Sequence, residues 1–187
     1  MTSIAILASH NGSGFDAIYE ATLNASLAVK VKIIISNNSD SNIIKKAIKQ
    51  KISNHVVNKS LYENPDTKIY ELLNANNIKY VFLSGYMKKL SPLLTSNFTI
   101  INSHPSLLPK YGGPGMYGSY VHKAVLQNKE KVSGVTIHEV NENYDEGKII
   151  LQKEISLNKD ETVASLENKI KELESIAIVQ ALKLCLK

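Results

Sequence analysis

The chain has 187 residues, enough for one domain with a sizeable core, and its 43% hydrophobic and 21% charged content is ordinary for a globular protein. The formal charge is +5, but the 22 basic residues, all lysine, are spread along the chain and read as solvated helix faces, not as a nucleic-acid surface with interleaved aromatics. The apolar run Ile4–Ser9 is too short for a signal-peptide core or a membrane span, and no later segment is longer. One cysteine, Cys185, can form no internal disulfide, so a reducing, cytoplasmic setting is expected, with small molecules as partners and neither nucleic acid nor membrane.

In chain order, Ser3–Ala8 is a continuous apolar run, as a strand buried on both faces requires. Phe15–Leu27 follows at helical spacing, with Phe15, Ile18, Tyr19 and Thr22 on one side. Val29–Ile35 reads as a second strand, and Ser41 as the N-cap of a helix that carries Ile44, Ala47 and Ile48. His55–Val57 is a short third strand and Pro65–Asn76 a third helix. Tyr80–Leu83 and Thr99–Asn102 are two more buried strands, separated by a helical turn at Ser91-Pro92. This alternation predicts a Rossmann-like α/β fold, a mostly parallel twisted sheet with right-handed crossovers and helices on both faces. In the C-terminal half Tyr120–Gln127 reads as a helix. Ser133–Val140 and Lys148–Leu157, joined through Asn141–Gly147, suggest an antiparallel extension. Thr162–Leu186 closes the chain as a long helix with a stripe of Leu166, Ile170, Leu173, Ile176 and Ala177. No repeat or linker interrupts residues 1–187, so a single domain is expected.

Two segments carry chemistry. The first strand runs straight into Asn11-Gly12-Ser13-Gly14-Phe15-Asp16-Ala17, a G-x-G-x-x-A loop placed where backbone N–H groups can cradle an anion. A dinucleotide site would want a carboxylate at the end of the second strand, where this chain has Ile35-Ser36-Asn37-Asn38; no Gly-Lys-Ser/Thr follows either. A phosphate monoester on Gly12, Ser13 and Gly14 fits better than NAD, with a ligand-free tight turn as the alternative. The second segment ends the strand Thr99–Asn102 and reads Asn102-Ser103-His104-Pro105-Ser106-Leu107-Leu108-Pro109-Lys110-Tyr111. While the chain stays extended, Asn102 and His104 point the same way. An amide and an imidazole aimed at one point suit chemistry at a carbonyl, although a lone histidine at a strand end is often structural.

His104–Tyr111, preceded by Asn102, resembles the hallmark of the folate-dependent formyltransferases, and specifically of phosphoribosylglycinamide formyltransferases. Leu83–Pro92 and the stretch Tyr144–Gly147 with Ile149–Gln152 resemble further segments of that family in the same order. The resemblance implies formyl transfer from 10-formyltetrahydrofolate, as co-substrate and with no metal, to the amine of phosphoribosylglycinamide in purine biosynthesis. It implies a catalytic set of Asn102, His104 and Asp145, with Gly12, Ser13 and Gly14 on the ribose phosphate. Met87, Lys88, Lys89 and Leu90, together with Asn141, Glu142, Asn143, Tyr144 and Asp145, would line the folate pocket beside Asn102. Glu174 falls where the family has a glutamate touching the glycinamide substrate.

The departures matter too. Gly14 stands where many members have asparagine, and Gly112–Gly118 is longer than in many members, either a mobile flap or a surface loop. Members often place an arginine at the folate tail; this chain has none, so Lys68 or Lys88 would substitute. In the implied reaction the substrate amine attacks the formyl carbon, Asn102 and protonated His104 stabilise the oxyanion, and Asp145 keeps His104 charged. His10, His55, His122 and His138 are scattered, and most of them read as structural. Methionyl-tRNA formyltransferases carry a C-terminal tRNA-binding domain, and formyltetrahydrofolate deformylases an N-terminal regulatory one, so both are set aside, as are the usually longer sugar-amine enzymes. A non-catalytic phosphate-binding module would have no need of the Asn, His and Asp set. A monomer or a homodimer is compatible with all of this.

Overall fold

The structure is a computed structural model that describes residues 1–186. The chain gathers into two compact units, one from Met1 to Ile101 and one from Asn102 onward.

The first unit alternates strand and helix: β1 (Thr2–Ala8), α1 (Ser13–Leu23), β2 (Val29–Ser36), α2 (Asn42–Lys49), β3 (Ser53–Val56), α3 (Pro65–Ala75), β4 (Tyr80–Leu83) and the short α4 (Pro92–Thr95). Its strands lie in the order β3-β2-β1-β4, all parallel. β1 is central, and Ile4 through Ala8 are almost wholly buried, which is why that stretch is apolar without alternation. Ile4, Ile6 and Leu7 each contribute about 1.5–3 kcal/mol on burial. Asn64 caps α3 by accepting from Thr67 N at 3.2 Å, with Pro65 in the first turn, where its missing N–H is harmless. Ser41 does occupy the N-cap of α2, but its hydroxyl makes no cap bond and turns instead to the Asn38 carbonyl at 2.7 Å. Because the strands are parallel, Ala8, Ser36 and Leu83 end at one edge of the sheet, and the loops that follow them gather there.

β5 (Thr99–His104) crosses from the first unit into the second, running two residues beyond the expected strand and keeping Asn102 and His104 in one extended segment. The second unit continues with α5 (Ser119–Gln127), β6 (Val132–Glu139), β7 (Ile149–Ser156) and α6 (Val163–Cys185). β6 and β7 pair antiparallel, as expected, with Thr136 opposite Gln152. A parallel first half and an antiparallel pair in the second give the mixed α/β sheet that the periodicities predict. α6 packs on β6, β7 and α5, and starts with a capping box in which Thr162 and Ser165 satisfy each other's backbone N–H. Its buried stripe is Leu166, Ile170, Ala177, Ile178, Ala181 and Leu182. Ile176, expected in that stripe, is 53% exposed, and Ile48 on α2 is likewise outside the core at 63%. A short window fixes the helical period but leaves the stripe's angle open by one residue. On α1, Ala21 takes the buried place expected of Thr22, and the helix ends at Leu23, four residues before the expected Leu27.

Candidate active site

In the second unit, three chain segments converge on the Asp145 carboxylate. His104 Nδ1 lies 3.5 Å from Oδ2, and His138 Nε2 lies 3.6 Å from Oδ1. The Gly113 N–H donates to Oδ2 at 2.8 Å. Asp145 reaches them from a left-handed backbone conformation, φ +59°, in the loop after β6; aspartate tolerates this region better than most residues. The expected set of Asn102, His104 and Asp145 is thus brought together, and one further residue joins it. His138, not singled out from the sequence, has its Nε2 3.3 Å from Asn102 Nδ2.

The partners assign the protons. His104 Nε2 faces the Tyr111 carbonyl at 2.7 Å, and a carbonyl can only accept, so Nε2 carries a proton. His138 Nδ1 donates in the same way to the Glu139 carbonyl at 2.9 Å. Burial lowers the His138 pKa and outweighs the opposing pull of the Glu139 carbonyl and of Asp145. Its Nε2 therefore keeps a lone pair that accepts from the Asn102 amide. That bond fixes which end of the amide is which, and leaves the amide's second N–H to meet another acceptor.

The segment after His104 is held by a buried hydroxyl. Thr136 Oγ1 donates to the Ser106 carbonyl at 2.6 Å and accepts from Leu108 N at 3.0 Å. Gln152 Nε2 donates to Thr136 Oγ1 and to the Leu108 carbonyl. Gln152, which closes the Ile149–Gln152 stretch, thereby supports the His-Pro segment.

Glu174, on α6, approaches β5 at Ser103. Burial pushes its carboxyl above the ordinary glutamate range, against the lowering effects of the Ser103 hydroxyl and Lys171. Ser103 Oγ makes no full hydrogen bond, so its effect on Glu174 is that of a long contact. Asn141–Tyr144 form an exposed turn in which Asn143 N donates to Asn141 Oδ1 at 2.9 Å, and Asn143 Nδ2 to Glu146 at 2.8 Å.

In the first unit, the loop after β1 opens α1 as the sequence predicts. Gly12 precedes the helix at φ +68°, in the left-handed region that favours glycine. The Ser13 and Gly14 amides lead the first turn, where no intrahelical acceptor exists. The Phe15 N–H is taken by the Ser84 hydroxyl at 3.1 Å. Met87 N donates to Ser9 Oγ at 2.7 Å, which ties the loop after β4 to the end of β1. Met87, Lys88 and Lys89 are exposed there, whereas Leu90 is buried in the core of the unit. Lys68 is engaged by Glu71 at 3.1 Å and by the Tyr62 ring. Among the described residues, no group of three or more His, Cys, Asp or Glu side chains is placed to hold a metal ion, and no helix is long and apolar enough to cross a membrane.

The family model described as "Formyl transferase" matches residues 2–182. The chain belongs to the formyl transferase family. Among relatives, it is 34% identical over 173 residues to the phosphoribosylglycinamide formyltransferase, chloroplastic, of Arabidopsis thaliana. That match covers 89% of this chain, and the chain spans 59% of the plant protein's length. It is 31% identical to the phosphoribosylglycinamide formyltransferase of Haemophilus influenzae, over 93% of this chain and 82% of that one. The crystal structure of glycinamide ribonucleotide transformylase 1 from Symbiobacterium toebii superposes with a TM-score of 0.91 at 28% identity, covering 99% of this chain and 87% of the other. Family membership accords with the Asn-x-His-Pro segment and the downstream aspartate, which the fold places side by side.

Proposed function

We propose that this family member transfers the formyl group of 10-formyltetrahydrofolate to the amine of phosphoribosylglycinamide in purine biosynthesis. The observation that supports the reading is the Asp145 carboxylate lying beside His104 and His138, with the Asn102 amide on His138. In this reading residues 1–187 work as one formyltransferase domain in the cytoplasm, as a monomer or a homodimer. Its partners are small molecules, not nucleic acid or membrane.

The amine attacks the formyl carbon and negative charge builds on the oxygen. The tetrahedral intermediate then collapses as the bond from that carbon to the folate nitrogen breaks, the proton lost by the amine ending on the folate nitrogen, and no metal is called for. The Asn102 amide keeps one N–H that His138 does not use, and directs it at the developing oxyanion. Protonated His104 donates a hydrogen bond to the same oxygen from Nε2, and Asp145 beside Nδ1 offsets the positive charge of the imidazolium. Gly12, Ser13 and Gly14 hold the ribose phosphate, and Glu174 faces the substrate amine. Met87–Leu90, Asn102 and Asn141–Asp145 accommodate the folate, with Lys88 or Lys68 at its carboxylate tail. The buried state of Leu90 restricts its part to shaping the wall from behind.

The test is an absorbance assay that follows loss of a 10-formylfolate in the presence of glycinamide ribonucleotide, with other amines in parallel. Turnover with the ribonucleotide and not with the others is expected. Ligand-dependent heat stabilisation without formyl transfer would instead indicate a binding module.

A further inference from the structure

Helix α2 carries none of the sequence motifs, yet its first two turns grip the glycine loop at every residue from His10 to Gly12. The Ile43 N–H donates to the His10 carbonyl at 3.0 Å. The Ile43 side chain, fully buried, fills the space a Gly12 side chain would need, with its Cδ1 2.6 Å from that Cβ position. Lys46, one turn on and on the same face, donates from Nζ to the Asn11 carbonyl at 2.9 Å and to Asp16 Oδ2 at 2.6 Å. The ammonium thus bridges the residue before the loop and the first turn of the helix behind it.

Asp16 poses an electrostatic problem for a phosphate loop. A carboxylate in the first turn suits a bare helix N-terminus, but it repels a phosphate arriving at the same N–H groups. Lys46 lies against that carboxylate, in a chain with no arginine to do the same. We infer that Lys46 is the positioning residue of the phosphate loop: it holds the Asn11 carbonyl and neutralises Asp16, so that the Gly12–Gly14 amides meet the phosphate in a favourable field. This rests on the proposed role of Gly12–Gly14 as the ribose-phosphate site.

The experiment measures KM for glycinamide ribonucleotide, KM for the formylfolate and kcat separately. The variants are Lys46→Met, Lys46→Arg, Asp16→Asn and the double variant Lys46→Met with Asp16→Asn. Lys46→Met keeps the length and removes the charge; it should raise the ribonucleotide KM by up to about fivefold, the range set by a partly exposed ion pair. The formylfolate KM and kcat should stay unchanged. Lys46→Arg should restore ribonucleotide binding, and adding Asp16→Asn to Lys46→Met should recover part of the loss, because the unpaired carboxylate is gone. Asp16→Asn by itself should leave the ribonucleotide KM unchanged or lower it.

An unchanged ribonucleotide KM in Lys46→Met overturns the inference. So does an equal rise in both KM values with a fall in kcat, which a merely structural lysine would give. Two controls separate this from the loop reading: competition by inorganic phosphate against the ribonucleotide, and the Gly12→Ala variant. If phosphate competes and Gly12→Ala raises the ribonucleotide KM while Lys46→Met does not, the Lys46 inference falls and the loop stands. If phosphate does not compete and Gly12→Ala is silent, the loop reading falls and Lys46 with it.

Discussion

His104 Nε2 donates its proton to the backbone carbonyl of Tyr111, 2.7 Å away. The donor that the proposed chemistry needs is therefore occupied, and a substrate oxygen can receive it only if Tyr111 gives way. Tyr111, Gly113 and Gly115 all sit at positive φ, in a segment tied to Asp145 through the Gly113 N–H.

Gly112 tests how tightly that segment must fit. A Cβ there would lie 2.6 Å from Leu108 Cδ2, the end of a side chain that can rotate, and 3.2 Å from Asp145 Cβ, so Gly112→Ala presses on the residue that carries the carboxylate. About 1 Å of misplacement at a reacting group can cost on the order of 10²-fold in rate. Gly112→Ala should approach that loss in kcat while the ribonucleotide KM stays put. Steady-state kinetics decide it, and an unaffected kcat would mean that the loop tolerates displacement.

The catalytic set makes a graded prediction. Removing an oxyanion donor costs about 10²–10³-fold in turnover, so Asn102→Ala should fall there. Removing an acid–base group costs roughly 10²–10⁴-fold, the range expected of His104→Ala. Asp145→Asn keeps the shape, and asparagine also tolerates positive φ, so the fold should hold while kcat drops. His138→Ala should act through Asn102: it should lower kcat, and lower it little further in an Asn102→Ala background. Full additivity in that double-mutant cycle would separate His138 from the amide.

The legibility of the site divides along physical lines. Buried parallel strands announce themselves by composition, and β4 falls on the expected Tyr80–Leu83. Asn102 and His104 are legible because two residues on one strand share a face. Asp145 is reached through the family resemblance, since a loop carboxylate has no periodicity to place it. His138 is missed because its meaning comes from register: it is the last residue but one of β6, with its ring beside Asn102, and nothing local distinguishes it from a core histidine. The Tyr111 carbonyl is a backbone atom and leaves no mark in the side-chain sequence at all.

Acid should destabilise the fold through two histidines. Burial lowers the pKa of both His122 and His138 below the ordinary value of 6.5. Below 6.5 the unfolded chain takes up protons that the folded chain resists, so the stability these residues allow is present above 6.5 and is lost as pH falls through it. The Tm should therefore drop between roughly neutral pH and pH 5. His122→Phe should make that drop shallower, because one buried imidazole no longer titrates and its unpartnered Nδ1 is gone. Identical slopes for the two proteins would rule out His122 as a contributor.

Glu174 makes the opposite trade, and it separates stability from function at one position. Its pKa is raised, chiefly by burial, so folding favours its protonated form. The sign follows from linkage: the favourable contribution is full below the unfolded value of 4.5 and is lost as pH rises through the higher folded value. At neutral pH the folded chain must therefore carry a buried carboxylate, or a proton that water would not leave on it. Glu174→Gln keeps the shape and hydrogen-bonding reach without the charge, so the Tm at pH 7 should rise. The same change removes the group proposed to face the substrate amine, so kcat/KM for the ribonucleotide should fall, with the formylfolate KM unchanged. Thermal melts and kinetics on one preparation read both effects. A stabilised protein with undiminished activity would take Glu174 out of the site and leave it as a buried acid on α6; a destabilised one would mean that its charge is needed to hold Ser103 and Lys171 in place.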